Sequence, residues 1–296
     1  MNLSHLDPAS HQDAAPRRGS GTTGIPRAAA VTALRDFRDR RSASSLHLRN
    51  GLLAALPAAD GERLCRTLAH VALPAGHVIC EAGRQQAHPY FPVTGIVALS
   101  QELASGAMAD VAVTGSEGVV GVALFLGGGT TSTRAVVRAA SHGYRLCADA
   151  LAAEFDRCDA LRQVLLRYAQ VLLTQAVQTA ACRGHHSVLQ QVCRLLLSVR
   201  DRLPCDELVL TQDAIGESLG VRRESITAAA GRLQKDGLIR YGRGRITIVD
   251  RAGLERRACE CYAVVKAESG RLAQVHHAVR LESAASAHAT VSRRAR

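Results

Sequence analysis

The chain has 296 residues, 47% of them apolar, with 37 Lys and Arg against 26 Asp and Glu, for a net charge of +11. That is enough apolar residue for one large or two modest cores, and no stretch approaches the roughly 18 consecutive apolar residues of a membrane span. The opening Met1 to His5 lacks the basic-then-apolar order of a secretion signal, so a cytoplasmic location is expected; nine scattered cysteines, an odd number, do not read as a disulfide framework.

Residues 1–46 mix Pro8, Pro16, Gly19, Gly21, Gly24 and Pro26 with arginine and show no apolar period, which reads as a disordered tail. From 47 to 152 the pattern changes to short β-prone runs separated by glycines. His77 to Cys80, Gly95 to Ser100, Asp110 to Thr114 and Arg134 to Arg138 are the expected strands, Ala104-Ser105-Gly106 a hairpin turn, and Pro57 to Leu68 a small helix. An antiparallel β-roll is the expected architecture.

A helical stretch free of Gly and Pro follows from about Asp149 to Ala181, assigned over 153–183 to a dimerisation helix. Leu161, Leu165, Tyr168 and Leu172 step along it at the spacing of a packed seam, with Val164, Val171 and Val177 beside them. Two occupants fit that seam: the roll of the same chain, or a second subunit.

Residues 184–262 carry the expected winged helix-turn-helix. After a helix from Ser187 to Leu203 and a strand from Glu207 to Leu210, Thr211 suits an N-cap for a helix from Gln212 to Leu219. Gly220 supplies a tight turn, and a second helix runs from about Arg222 to Asp236. Between 219 and 245 seven basic residues face only Glu224 and Asp236, whereas 204–218 holds four acids and no base. This reversal of sign is local, while residues 1–50 and 271–296 carry +8 of the net charge as solvated arginine. Arg223 suits guanine, Glu224 cytosine, Thr227 a thymine methyl or a phosphate, and Arg222 a phosphate. Arg240, Arg243 and Arg245 lie on or beside the glycine turn of a following hairpin, where a wing would hold them against the DNA backbone. Residues 263–296 are expected to be a helical or disordered tail.

The run Ile215-Gly216-Glu217-Ser218-Leu219-Gly220-Val221-Arg222-Arg223-Glu224-Ser225-Ile226-Thr227 resembles the helix-turn-helix of the Crp/Fnr superfamily of bacterial regulators, and the order of parts agrees with it. The resemblance implies an α+β protein: a cyclic-nucleotide-binding-like jelly roll, a long dimerisation helix and a C-terminal winged helix-turn-helix. It implies that Arg223 and Glu224 read bases in duplex DNA, with a second copy of the chain and RNA polymerase as further partners. A basic residue that some members carry four positions after the glutamate falls here on Ala228. In the sensor half, the resemblance puts effector binding at Gly121, Val122, Arg134 and Ala135. Val122 stands where nucleotide binders place a ribose-binding glutamate, and Arg134 is one place out of register, which on a strand turns it to the opposite face. A cyclic nucleotide is therefore not the expected effector, and the effector stays unidentified.

The cluster-binding mode of oxygen-sensing members is not expected, since no cysteine precedes Cys65. Cys259-Glu260-Cys261, with Cys182 or Cys193, could form a redox or metal switch but is read as inert thiols, and His185-His186 as a polar hinge or cap; no metal, cofactor or catalytic residue is expected. Two other function classes fit parts of the sequence. One is an enzyme using Cys182 as nucleophile with His185 or His186 as base, and the other a ligand-binding regulatory subunit that touches no DNA.

Overall fold

A computed structural model describes residues 49–203 and 205–274; the expected tail at 1–46 and the stretch 275–296 lie outside the described residues. Near the start of the described part, Asn50 is fully buried. Its amide donates to the carbonyls of Pro92 and Gly118, both at 2.8 Å. Its Oδ1 accepts from the N–H groups of Leu52 and Leu53, capping the one-turn helix α1 (Gly51–Ala54). Every polar atom of this buried side chain is thus matched, and the chain's entry into the roll is fixed. Helix α2 (Ala58–Cys65) follows.

Seven strands make the roll: β1 (Ala69–Leu73), β2 (Val78–Cys80), β3 (Tyr90–Pro92), β4 (Ile96–Glu102), β5 (Met108–Thr114), β6 (Arg134–Ala139) and β7 (Ser141–Arg145). They form two antiparallel sheets, β1-β7-β3 and β2-β6-β4-β5. β4 and β5 are joined by the expected hairpin, closed by Leu103 N–H donating to Ala107 at 2.9 Å. The strands not foreseen, β1, β3 and β7, belong to one sheet. Their sequences explain the omission: β1 is mostly solvent-facing, β7 reads Ser-His-Gly-Tyr-Arg, and β3 ends in a proline that only an edge strand tolerates.

The predicted continuous helix is two. Helix α3 (Ala148–Arg157) ends at Cys158, whose extended backbone starts α4 (Asp159–His185) and whose Sγ accepts from Leu161 N–H at 3.4 Å. Leu161, Val164, Leu165, Tyr168, Val171 and Leu172 are all buried in the core of the roll. The seam expected from the sequence is therefore spent on the same chain. Tyr168 is completely enclosed and its hydroxyl lies 2.7 Å from Thr114 Oγ1 on β5. A Cβ at Gly118 would sit 2.2 Å from that ring, so only glycine permits the approach. What α4 leaves exposed is a second apolar line, Leu166, Leu173 and Val177.

Beyond α4 the chain forms α5 (Val188–Arg200), β8 (Glu207–Val209), α6 (Gln212–Leu219), α7 (Arg223–Lys235), β9 (Ile239–Gly242), β10 (Arg245–Ile248) and α8 (Arg251–Arg257). Ser187 and Gln190 build a capping box at the start of α5. Leu196, Leu197, Leu208, Ile215, Ile226 and Leu233 lie at the centre of this second core. A last helix, α9 (260–274), runs into the stretch expected to be a helical or disordered tail. It is held by Tyr262, whose hydroxyl donates to Asp201 at 2.9 Å, and by Leu272, which enters the core of the roll. Among the described residues no helix is long and apolar enough to cross a membrane.

Candidate DNA interface

The helix-turn-helix is assembled by local rules. Thr211 accepts from Ala214 N–H at 3.1 Å and starts α6. Gly220 ends it in the left-handed region at φ 69°, which lets Val221 N–H return to the Gly216 carbonyl at 2.9 Å. Helix α7 then buries Ile226, Ala229, Ala230 and Leu233 against its neighbours. The opposite face, with Arg222, Arg223, Glu224, Thr227 and Ala228, is exposed. These residues occupy the first turns of α7, the part of a recognition helix that reaches base edges in the major groove.

Two of the predicted readers have partners from α6. Arg223 lies 3.3 Å from Asp213, both side chains well exposed, so the pair can exchange for a base or phosphate at little cost. Thr227 donates its hydroxyl to Gln212 Oε1 at 2.7 Å. The Thr227 hydroxyl is thus occupied, leaving its methyl for a thymine and placing Gln212 beside the same surface. Sequence reading missed Gln212, because only the crossing of α6 over α7 brings positions fifteen residues apart together.

The wing is the hairpin β9–β10, with β10 paired on its other edge to β8. Arg243 at φ 52° and Gly244 at φ 74° are consecutive left-handed residues, as a two-residue type I′ turn requires. Arg243 is the one non-glycine with positive φ among the described residues, so its side chain projects from the tip at some backbone cost. Arg240 and Arg243 are exposed and face no carboxylate in ion-pair range among the described residues, as does Arg222. Arg245 instead pairs with Glu207 on β8.

In the roll, a cavity of about 60 Å³ is lined by Gln86, Val120, Gly121, Val122, Thr133 and Ala135 among others. It has room for a few waters, whereas pockets for small organic ligands run to about 300 Å³ and more. Arg134 does not line it: alternation along β6 sends the guanidinium outward, with Nε 3.0 Å from Glu81. Gly121 adopts φ 112° and its missing Cβ leaves space taken by the amide of Gln86.

The reading half is docked on the roll through polar contacts that the sequence did not suggest. Arg138 on β6 bridges Asp110 on β5, at 2.9 Å, and Glu217 on α6, at 3.2 Å. Arg183 on α4 donates to the carbonyls of Asp110 and Ser218, at 2.7 and 3.0 Å. Of the cysteine and histidine positions noted above, Cys182, His186, Cys259 and Cys261 come together, whereas Cys193 is buried in the second core and His185 is exposed.

Residues 190–257 match the Crp-like helix-turn-helix domain family. Among solved structures, the chain is similar to FixK2 from Bradyrhizobium japonicum at 18% identity, with a TM-score of 0.58 over 65% of this chain and 98% of that one. It is also similar to the c-di-GMP responsive global regulator CLP of Xanthomonas campestris, at 18% identity and a TM-score of 0.55, over 65% of this chain and 99% of that one. A CRP/FNR-family transcriptional regulator from Thermus thermophilus matches at 23% identity and a TM-score of 0.53, over 64% of this chain and 98% of its own. No curated protein matches. The chain therefore carries a Crp-like helix-turn-helix domain and shares the fold of solved Crp/Fnr-family transcription regulators.

Proposed function

We propose that this chain regulates transcription as a cytoplasmic homodimer that reads a two-fold operator in duplex DNA, with RNA polymerase as the further partner. The observation that carries the reading is the free face of α7. Arg222, Arg223, Glu224 and Thr227 stand exposed at its start, flanked by Arg240 and Arg243 of the wing, which have no carboxylate partner among the described residues. Arg223 and Glu224 specify bases; Arg222, Arg240, Arg243 and, on release from Glu207, Arg245 hold phosphates. The subunits meet along α4. Leu166, Leu173 and Val177, spaced seven and four residues apart, are exposed on a 27-residue helix whose other face is already buried in the roll.

The effector enters the roll near Gly121, Val122 and Ala135, and a small ligand fits the cavity better than a nucleotide. Arg134 acts on that site only if it abandons Glu81. No enzymatic role is assigned. Cys182 is 1% exposed, which leaves no path for substrate, and the two nitrogens of His186 face Cys261 and Glu260.

Selection from random duplex DNA by the purified chain tests this reading. A two-fold motif with half-sites about one helical turn apart is expected. A chain that binds duplexes without sequence preference, or only as a monomer on single half-sites, would contradict it.

A further inference from the structure

Two pairs of side chains, Cys182 with His186 and Cys259 with Cys261, converge from distant parts of the sequence. Cys182 is in the last turn of α4, and His186 caps that helix. Cys259 lies between α8 and α9, and Cys261 is in the first turn of α9. One donor atom from each, three sulfurs and an imidazole nitrogen, all lie within 4.8 Å of one another. Cys182 Sγ is 3.5 Å from Cys259 Sγ, and Cys261 Sγ is 3.6 Å from His186 Nδ1.

These separations have a geometric meaning. A tetrahedral zinc ion with bonds of about 2.3 Å to sulfur and 2.0–2.1 Å to nitrogen sets an S–S edge of about 3.8 Å and an S–N edge of about 3.6 Å. A disulfide needs its sulfurs at about 2.05 Å, and all three cysteines are free thiols here. Thiol hydrogen bonds would account for each close pair taken singly, but not for four donors converging on one point.

A second observation concerns what lies behind the imidazole. His186 Nε2 is 3.2 Å from Glu260 Oε1, so the ring nitrogen that faces away from the sulfurs has a carboxylate to donate to. This partner fixes the tautomer that leaves Nδ1 as a free donor to a metal, as carboxylates do behind metal-bound histidines. The three cysteines are 1%, 4% and 2% exposed and form a cluster of their own, while His186 closes the solvent side at 15%. Four protein donors and no open flank describe a structural site rather than a catalytic one. Three soft thiolates with one imidazole favour zinc over the oxygen-seeking cations.

We infer that Cys182, His186, Cys259 and Cys261 form a structural Cys3His zinc site that pins the C-terminal end of α4 to the start of α9. The site closes a loop around the whole winged domain, which begins just after His186 and ends just before Cys259. It therefore sets how firmly the reading half is held to α4 across the exposed Gly184.

The test uses the full chain, purified in reductant without added metal, and needs no DNA. Zinc content is measured first, and the metal-stripped chain is then titrated with Co²⁺. One zinc per chain is expected, together with the intense visible bands of tetrahedral cobalt bound to thiolate. Cys261→Ser should lose those bands. Glu260→Gln keeps all four donors and should weaken metal affinity by about 10–100-fold. Substoichiometric zinc together with a pale, weakly absorbing cobalt titration in the wild-type chain would overturn the assignment, whatever the variants do. So would recovery of a Cys182–Cys259 disulfide in place of metal.

Discussion

At the scale of single residues, the arginines of the reading half differ in what they are already doing. Arg240 and Arg243 have no carboxylate partner among the described residues, whereas Arg245 is paired to Glu207 and Arg223 to Asp213. Unpaired wing guanidiniums release counterions from DNA without first breaking a bond in the protein. Replacing Arg240 and Arg243 together by Ala should weaken binding to all duplexes alike and reduce the steepness of log K against log salt by about one per lost contact. Titration of one duplex at several salt concentrations measures it; an unchanged slope would remove the wing from the interface. The exposed position of Arg223 and Glu224 at the start of α7 and the turn at Gly220 were legible in the sequence, because each follows from local spacing. The place of Gln212 beside Thr227 was not, since it comes from the crossing of two helices.

At the scale of elements, α4 shows how a periodic pattern can be read correctly while the surface it packs on stays open. Leu161, Leu165, Tyr168 and Leu172 do form a seam, but it is filled by the roll, and the face left for another subunit is the sparser line of Leu166, Leu173 and Val177. Spacing reveals that a stripe will be buried, not by what. Leu173→Glu should therefore convert a dimer to a monomer in sedimentation while barely changing the melting of the monomer fold. Leu165→Ala should destabilise the fold itself by about 2–5 kcal/mol, as loss of a fully buried leucine does. If Leu173→Glu stays dimeric, another surface joins the subunits. The β-roll was legible from its glycine-punctuated strands, and β1, β3 and β7 escaped because exposed, histidine-bearing or proline-ended strands lack the alternation that marks a half-buried sheet. The break at Cys158 escaped because a cysteine capping a helix carries no breaker signature.

At the scale of the whole molecule, the two halves are joined by α4, by the return of α9 to the roll, and by the arginines around Asp110. Long-range ion pairs of this kind leave no trace in local sequence. Asp110 is 9% exposed and takes both the Arg138 guanidinium and the Ser100 hydroxyl, the latter at 2.6 Å. Arg138→Ala would leave that carboxylate with Ser100 and would release Glu217 from the roll. A loss of about 2–3 kcal/mol is expected, below the full cost of breaking a buried pair because Arg138 is a quarter exposed. Thermal unfolding measures it, and hydrogen exchange should show α6 opening more readily. An unaltered melting curve would mean that the contact does not hold the halves together.

Whether α7 reads sequence is decided by parallel selection from random duplex DNA with the wild-type chain and with Arg223→Ala. The wild type should enrich a two-fold motif containing a guanine at one symmetric position, and the variant should keep the motif's other positions while losing about 1–3 kcal/mol of discrimination at that base pair. Identical motifs from the two proteins would contradict the assignment of Arg223 to a base. No enriched motif from the wild type would mean that the protein does not act by reading DNA sequence.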